Sequence, residues 1–176
     1  MNRPVPDEVI LGLLKAQPTH GYDLLDRFRS REHLGRIWTL STSQLYAVLK
    51  RLEEAKAIFG KEIDVLNAPA RTRYSITDIG NQKLEAWLYE KHPSNSIHLI
   101  RVVFLSRIYI ANLLGLDADQ IILNQITACQ QQYQKIFDQR YQVKSPVESL
   151  TLDFVLRQLE SALKWLDETD FLLEIS

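Results

Sequence analysis

The chain has 176 residues, 45% of them hydrophobic and 24% charged, with a formal net charge of -1 and a single cysteine, Cys129. This is an ordinary soluble globular composition, with room for one small domain plus an additional module, and it argues against a disordered or fibrous chain. One cysteine excludes an internal disulfide and fits a reducing, cytoplasmic compartment.

In chain order, Val9-Ile10-Leu11-Gly12-Leu13-Leu14 reads as a compact apolar helix, broken at Pro18 and Gly21. A second helix follows, with Leu24, Leu25 and Phe28 as its buried face. Trp38 and Leu40 precede a third, whose start carries the hydroxyl cluster Ser41-Thr42-Ser43, a capping signal. Its Leu45, Leu49 and Leu52 form one apolar stripe, and the remaining surface carries Ser43, Gln44, Tyr46, Lys50 and Arg51. Those residue types read base edges and hold phosphates; an ordinary amphipathic surface helix is the alternative. Ala57–Ile63 is strand-like, Asn67-Ala68-Pro69-Ala70-Arg71 is a polar loop, and Thr72–Ile76 reads as a second strand. A further helix begins at Thr77-Asp78-Ile79-Gly80 and buries Leu84, Trp87 and Leu88. The order helix, helix, helix, hairpin, helix is that of a winged helix-turn-helix, with the hairpin loop as the wing.

The ordered pieces Ile10-Leu11-Gly12-Leu13-Leu14, His20-Gly21-Tyr22-Asp23-Leu24, Leu45-Tyr46, Leu49-Lys50-Arg51-Leu52-Glu53 and Pro69–Thr77 with Gly80 resemble the PadR-like family of bacterial transcriptional regulators. No one piece is specific; their order over the first half of the chain is. Ser43 stands where the family usually has Gly, and Ala47 where it has Pro after the Tyr. Neither breaks a helix, so the fold is unaffected, while the bases read can change. The resemblance implies a homodimer held by C-terminal helices and a palindromic operator in double-stranded DNA.

Three helices are expected after residue 96. The first, about His98 to Leu114, is apolar nearly all round, which calls for cover on more than one side and suggests a second subunit. Arg101, Ser106, Arg107 and Asn112 interrupt it, so no membrane span is expected. The N-terminal Met1-Asn2-Arg3-Pro4 has no secretory signal pattern. Gly115-Leu116-Asp117 ends this helix, with Asp117 as cap of the next. Ile122, Ile126, Cys129, Tyr133 and Ile136 or Phe137 then form a heptad-like seam, opposite a solvated face of Gln130, Gln131, Gln132 and Gln134. After Ser145-Pro146 a third helix presents Leu152, Val155 or Leu156, Leu159, Leu163 and Leu166, followed by Phe171 and Leu172. The fold class expected is mainly α with a small β-hairpin: a winged helix-turn-helix DNA-binding domain over residues 1–91 and a helical dimerisation domain over 92–176.

A net charge of -1 on its face argues against a nucleic-acid partner, but distribution decides. Arg27, Arg29, Arg31, Arg36, Lys50, Arg51, Arg71 and Arg73 gather in the first half, and acidic residues dominate the end. The expected DNA-binding residues are Tyr22, Ser41, Ser43, Gln44, Tyr46, Lys50, Arg51, Arg71 and Arg73. Gln44 can meet adenine bidentately, or be merely solvated. Ser41 and Ser43 cap the helix and can touch phosphate. Lys50 and Arg51 suit phosphates, or one of them pairs with Glu54. Tyr22 and Tyr46 reach the DNA or pack inward. Arg71 and Arg73 lie at the wing. No histidine pair or Cys–His spacing forms a metal site, no cofactor motif is present, and no nucleophile elbow or acid–base pair suggests an enzyme. Tyr109, Trp165 and Trp87 are candidates to line a small aromatic effector's cavity between subunits, with core packing as the alternative. The function expected is that of a DNA-binding repressor released by a small molecule; a protein-interaction adaptor, or a small-molecule sensor with little DNA binding, is the alternative.

Overall fold

A computed structural model describes residues 4–65 and 68–168; Asn67 in the wing loop, and Phe171 and Leu172 near the C-terminus, lie outside the described residues. The chain forms two compact units, one of residues 1–89 with 105–117, the other of 90–104 with 118–176.

The first unit opens with α1 (Asp7–Ala16), whose Val9, Ile10, Leu11, Leu13 and Leu14 are all buried. A short strand β1 (Thr19–His20) leads into α2 (Gly21–Arg29), which buries Leu24, Leu25 and Phe28, and a single 3-10 turn follows at Leu34–Arg36. Helix α3 (Thr42–Glu54) buries Leu45, Val48, Leu49 and Leu52. It ends in a Schellman motif: Lys56 N–H donates to Glu53 O and Ala57 N–H to Leu52 O, with Lys56 in the left-handed region at φ 55°. Strands β2 (Ile58–Val65) and β3 (Ala68–Ile76) form the antiparallel hairpin, with Gly60 opposite Tyr74. Thr77 caps α4 (Asp78–Leu88), accepting from Gly80 N–H. These elements are a winged helix-turn-helix. Sequence reading gave a two-stranded hairpin; the sheet has a third strand, in the order β1-β3-β2. Two residues cannot show a period of two, so β1 has no sequence signal of its own. It is held by pairing with Arg73 and Tyr74, by His20 Nδ1–H donating to Thr72 O (3.0 Å), and by Arg73 Nε–H donating to Pro18 O (3.2 Å).

The helical run after residue 96 comprises α5 (Ile97–Leu99), a π-helical stretch (Ile100–Phe104) and α6 (Leu105–Leu113). The compact units divide it at Phe104, so α6 belongs with the first unit instead of starting the second. The reason is local packing: a Cβ on Gly12 of α1 would lie 2.5 Å from Ile110 Cγ2, so α1 and α6 sit closer than any larger residue would allow. Trp38 Nε1–H donates to Ser106 Oγ (2.8 Å), and Arg107 lies against the Trp87 ring at 5.4 Å. The single chain meets part of the demand for cover made by this apolar run and leaves Leu99, Val103, Leu105, Tyr109 and Leu114 half-buried and Leu113 exposed. Ile100, Val102, Phe104, Ile108, Ile110 and Ala111 are all buried within the single chain.

In the second unit, α7 (Asp119–Arg140) and α8 (Pro146–Asp167) pack on one another, with Tyr133 donating to Glu160 (2.9 Å). The cap position of α7 falls on Ala118, one residue after the expected Asp117. The seam Ile122, Cys129 and Ile136 is buried, joined by Ile121, Gln125 and Ala128. Gln125 is a buried amide whose Nε2–H donates to Ser94 O (2.9 Å). Burial pushes the Cys129 thiol up from its ordinary range, which leaves it an inert core residue. Phe104 meets Trp165 edge to face at 5.9 Å. Among the described residues, no helix is long and apolar enough to cross a membrane.

Candidate nucleic-acid interface

The third helix is the element most firmly specified at its start. Ser41 Oγ accepts from Gln44 N–H (3.2 Å), and Gln44 Oε1 accepts from Ser41 N–H (2.9 Å), a complete capping box. Ser43 Oγ lies 3.1 Å from Ser41 Oγ, and Arg29 of α2 donates to Thr42 Oγ1 (3.3 Å), tying the two helices at the turn. The box commits Gln44 Oε1 to the backbone, so bidentate adenine contact would require opening the cap.

At 100° per residue, the face opposite the buried stripe is Ser43, Ala47, Lys50 and Glu54. Lys50 is the cation of this face; its side chain is 80% exposed, and Glu54 stands 3.9 Å away, a loose pair that solvent screens. Tyr46 and Glu53 occupy one flank, Gln44 and Arg51 the other. Arg51 does not turn outward with Lys50. It pairs with Asp7 in the first turn of α1, its Nε–H donating to Oδ2 (3.0 Å) and Nη2–H to Oδ1. That hydrogen bond to Asp7 raises the Arg51 pKa further. The guanidinium therefore fastens α3 to α1, and the expectation of a phosphate contact from Arg51 now competes with a bidentate partner within the chain.

Tyr46 lies over Gly21 at the start of α2, where a Cβ would come within 3.0 Å of its hydroxyl. This close approach gives the His20-Gly21-Tyr22 sequence its purpose. Tyr46 remains 48% exposed and Tyr22 65%, so neither is a core tyrosine. Together with His20, Asp23, Arg71, Thr72 and Tyr74 they line an open cleft of about 550 Å³ between the start of α2, α3 and the wing. Burial, then the Glu53 charge, then Tyr46 raise the Tyr74 phenol above its ordinary range, so it stays a neutral donor. Arg71 and Arg73 are both exposed on β3, with Arg73 partly engaged at Pro18 O. The structure thus brings Tyr22, Tyr46 and Arg71 together around one cleft, with the cap residues Ser41, Ser43 and Gln44 at the start of the helix that carries Tyr46 and Lys50. Sequence reading missed Glu53, whose role is visible only once Gly60 is placed beside it, and Asp7.

The three candidate effector residues are placed differently. Tyr109 is in the first unit, its hydroxyl 3.2 Å from His33 Nδ1, while Arg27 donates to His33 Nε2 (2.9 Å). Burial raises the Tyr109 phenol, and Arg27 partly offsets this. Trp87 lies against Arg107 in the same unit, and Trp165 against Phe104 in the other. None of the three lines the interface cleft or a second cleft of about 500 Å³ bounded by Leu13, Leu24, Arg27 and Leu113. Among the described residues, no three His, Cys, Asp or Glu side chains group as metal ligands.

Residues 10–86 match the model of the Transcriptional regulator PadR-like family. The Negative transcriptional regulator PadR of Bacillus subtilis (strain 168) is 34% identical over 84 residues, which span 48% of this chain and 45% of that relative. Among solved structures, Bacillus subtilis PadR in complex with operator DNA is similar at 23% identity, covering 93% of this chain and 96% of that one, with a TM-score of 0.48. The same protein in complex with p-coumaric acid matches at 23% identity and a TM-score of 0.45, covering 96% of each chain. Over residues 10–86, through the three helices, the wing and most of α4, this chain is similar to the Transcriptional regulator PadR-like family, and it spans about half the length of the curated relative it matches.

Proposed function

We propose that this protein is a homodimeric DNA-binding transcriptional repressor, a binding protein and not an enzyme, that inserts α3 into a major groove and lays its wing on the flanking backbone. The observation that carries this reading is the capped α3, whose outward face of Ser43, Ala47 and Lys50 adjoins the Tyr22–Tyr46–Arg71 cleft. Lys50 and Arg71 supply phosphate contacts, Ser43 and the Gln44 amide can donate to base edges, and the Ala47 methyl suits a thymine methyl. The family of residues 10–86 supports transcription as the setting, and the negative regulator that matches this half supports repression.

Dimerisation is supported by α8. Val147, Leu150 and Phe154, at i, i+3 and i+7, are 73%, 71% and 61% exposed on the side away from buried Leu156, Leu159 and Leu166. An apolar stripe of that kind fits a second copy, and a two-fold protein fits a palindromic operator. Release by a small aromatic effector completes the reading. It rests on the family resemblance, with Tyr109, Trp87 and Trp165 as the residues to probe. A panel of phenolic acids, p-coumaric acid included, that leaves operator affinity unchanged would remove the effector from the reading.

The test of the whole is binding of the purified protein to duplex DNA from its own upstream region at two salt concentrations. The expected result is specific binding that weakens steeply with salt, and a Lys50→Ala variant whose log–log salt slope is shallower by about one. No binding at low salt overturns the reading.

A further inference from the structure

A side-chain hydrogen bond joins α3 to the wing directly. Glu53 Oε1 accepts from the Gly60 N–H at 2.9 Å. Strand β2 is an edge of the sheet, so alternate N–H groups along it point away from β3. Gly60 is one of these, and the Glu53 carboxylate takes the place of the missing strand. Only glycine permits the approach: a Cβ there would lie 2.8 Å from Glu53 Oε1 and 2.7 Å from Thr72 Cγ2. Gly60 pairs across the hairpin with Tyr74, which lines the interface cleft beside Tyr46. Tyr46 and Glu53 are seven residues apart and therefore share the same flank of α3. Burial first and then the Glu53 charge raise the Tyr74 phenol, which agrees with a carboxylate held at this junction.

We propose that Glu53 is a positioning residue for DNA recognition: its bond to Gly60 N–H fixes the angle between α3 and the wing, so that Arg71 meets phosphate while Lys50 occupies the groove. The proposal rests on the DNA-binding reading above. An acid so near a DNA-facing helix opposes phosphate binding by its charge; the clamp gives a reason for its presence there.

Two variants separate charge from clamp. Glu53→Gln keeps an oxygen acceptor for Gly60 and removes the charge; Glu53→Ala removes both. The salt slope of DNA binding is measured for each, alone and combined with Arg71→Ala, alongside melting temperature and amide hydrogen exchange of the free protein. Glu53→Gln is expected to keep the wild-type slope. Glu53→Ala is expected to make it shallower by about one phosphate, and adding Arg71→Ala is expected to change nothing more. Exchange at Gly60 and along the hairpin is expected to rise about tenfold in Glu53→Ala, with α1 and α2 unaffected. A Glu53→Ala protein with the wild-type slope overturns the proposal whether or not its melting temperature falls, because a merely structural contact would lower stability alone. Unchanged exchange at Gly60 overturns it without reference to DNA. Wild-type protein that binds no DNA defeats the DNA reading itself, a distinguishable result, and takes the recognition role of the clamp with it.

Discussion

Gly12 is the position where a single methyl group tests the organisation of the first unit. In an isolated helix, Gly→Ala stabilises by about 1 kcal/mol. Here the added Cβ would stand 2.5, 2.8 and 3.0 Å from Cγ2, Cδ1 and Cγ1 of Ile110. Ordinary carbon contacts are about 3.5–4.0 Å. Ile110 is fully buried and β-branched, so Cγ2 cannot swing clear without meeting another neighbour; α6 must instead retreat by about 1 Å from α1. Overpacking of this kind costs about 1–3 kcal/mol, and more when the obstacle is rigid. With the propensity gain set against the upper part of that range, Gly12→Ala is expected to destabilise by about 1–2 kcal/mol, measured by urea unfolding with tryptophan fluorescence. A double-mutant cycle sharpens the result. Ile110→Ala alone is expected to cost about 2–5 kcal/mol, and together with Gly12→Ala at least about 1 kcal/mol less than the sum, since each methyl group fills space the other change relieves. A Gly12→Ala protein as stable as wild type, with the two changes additive, would refute the placement of α6 against α1.

Three further outcomes follow from local physics. Lys56 holds a left-handed backbone that disfavours any side chain, so Lys56→Gly is expected to stabilise by about 0.5–1 kcal/mol after the entropy that glycine adds to the unfolded chain, read from the urea midpoint. Glu8 has its pKa raised above 4.5, first by burial, against lowering by a backbone hydrogen bond, with Asp7 raising it and Arg107 and Lys83 lowering it. The folded state therefore prefers the protonated form, and the stability this contributes at low pH is lost as pH rises through the folded pKa; Glu8→Gln is expected to melt higher than wild type at pH 7, with the gap closing on acidification toward pH 4.5, and a variant less stable at pH 7 would show the Arg107 attraction to dominate. Phe154→Glu places a charge in the α8 stripe and is expected to yield a monomer by light scattering with weakened operator binding; a variant that stays dimeric would move the subunit contact elsewhere.

The winged-helix elements were legible because each signal is short-range. Leu45, Leu49 and Leu52 repeat at helical spacing, Ser41 and Gln44 form a box three residues apart, and Thr77 precedes Gly80 by the same interval. The apolar run after His98 was legible only in part, for a related reason. Periodicity reports how many sides of a helix must be covered, not what covers them, and α6 finds part of its cover in α1, 98 residues upstream at Gly12 and Ile110. Strand β1 was silent because its two residues are specified by their partners Arg73 and Tyr74.

For the interface the division falls between residue type and direction. Lys50 and Arg51 are adjacent cations at the same end of one helix, equivalent on composition. A 100° rotation sends one toward solvent opposite the core stripe and the other onto Asp7, 44 residues upstream. The same geometry separates Glu54 from Glu53: the first is a screened partner for Lys50, while the second reaches the edge of the wing. Both acids read as an unremarkable helix terminus until Gly60 is placed. A glycine within a strand is itself a signal, since it weakens the strand unless something approaches closely. Gly60, read as a demand for a neighbour, would have directed attention to the carboxylates seven and six residues before it.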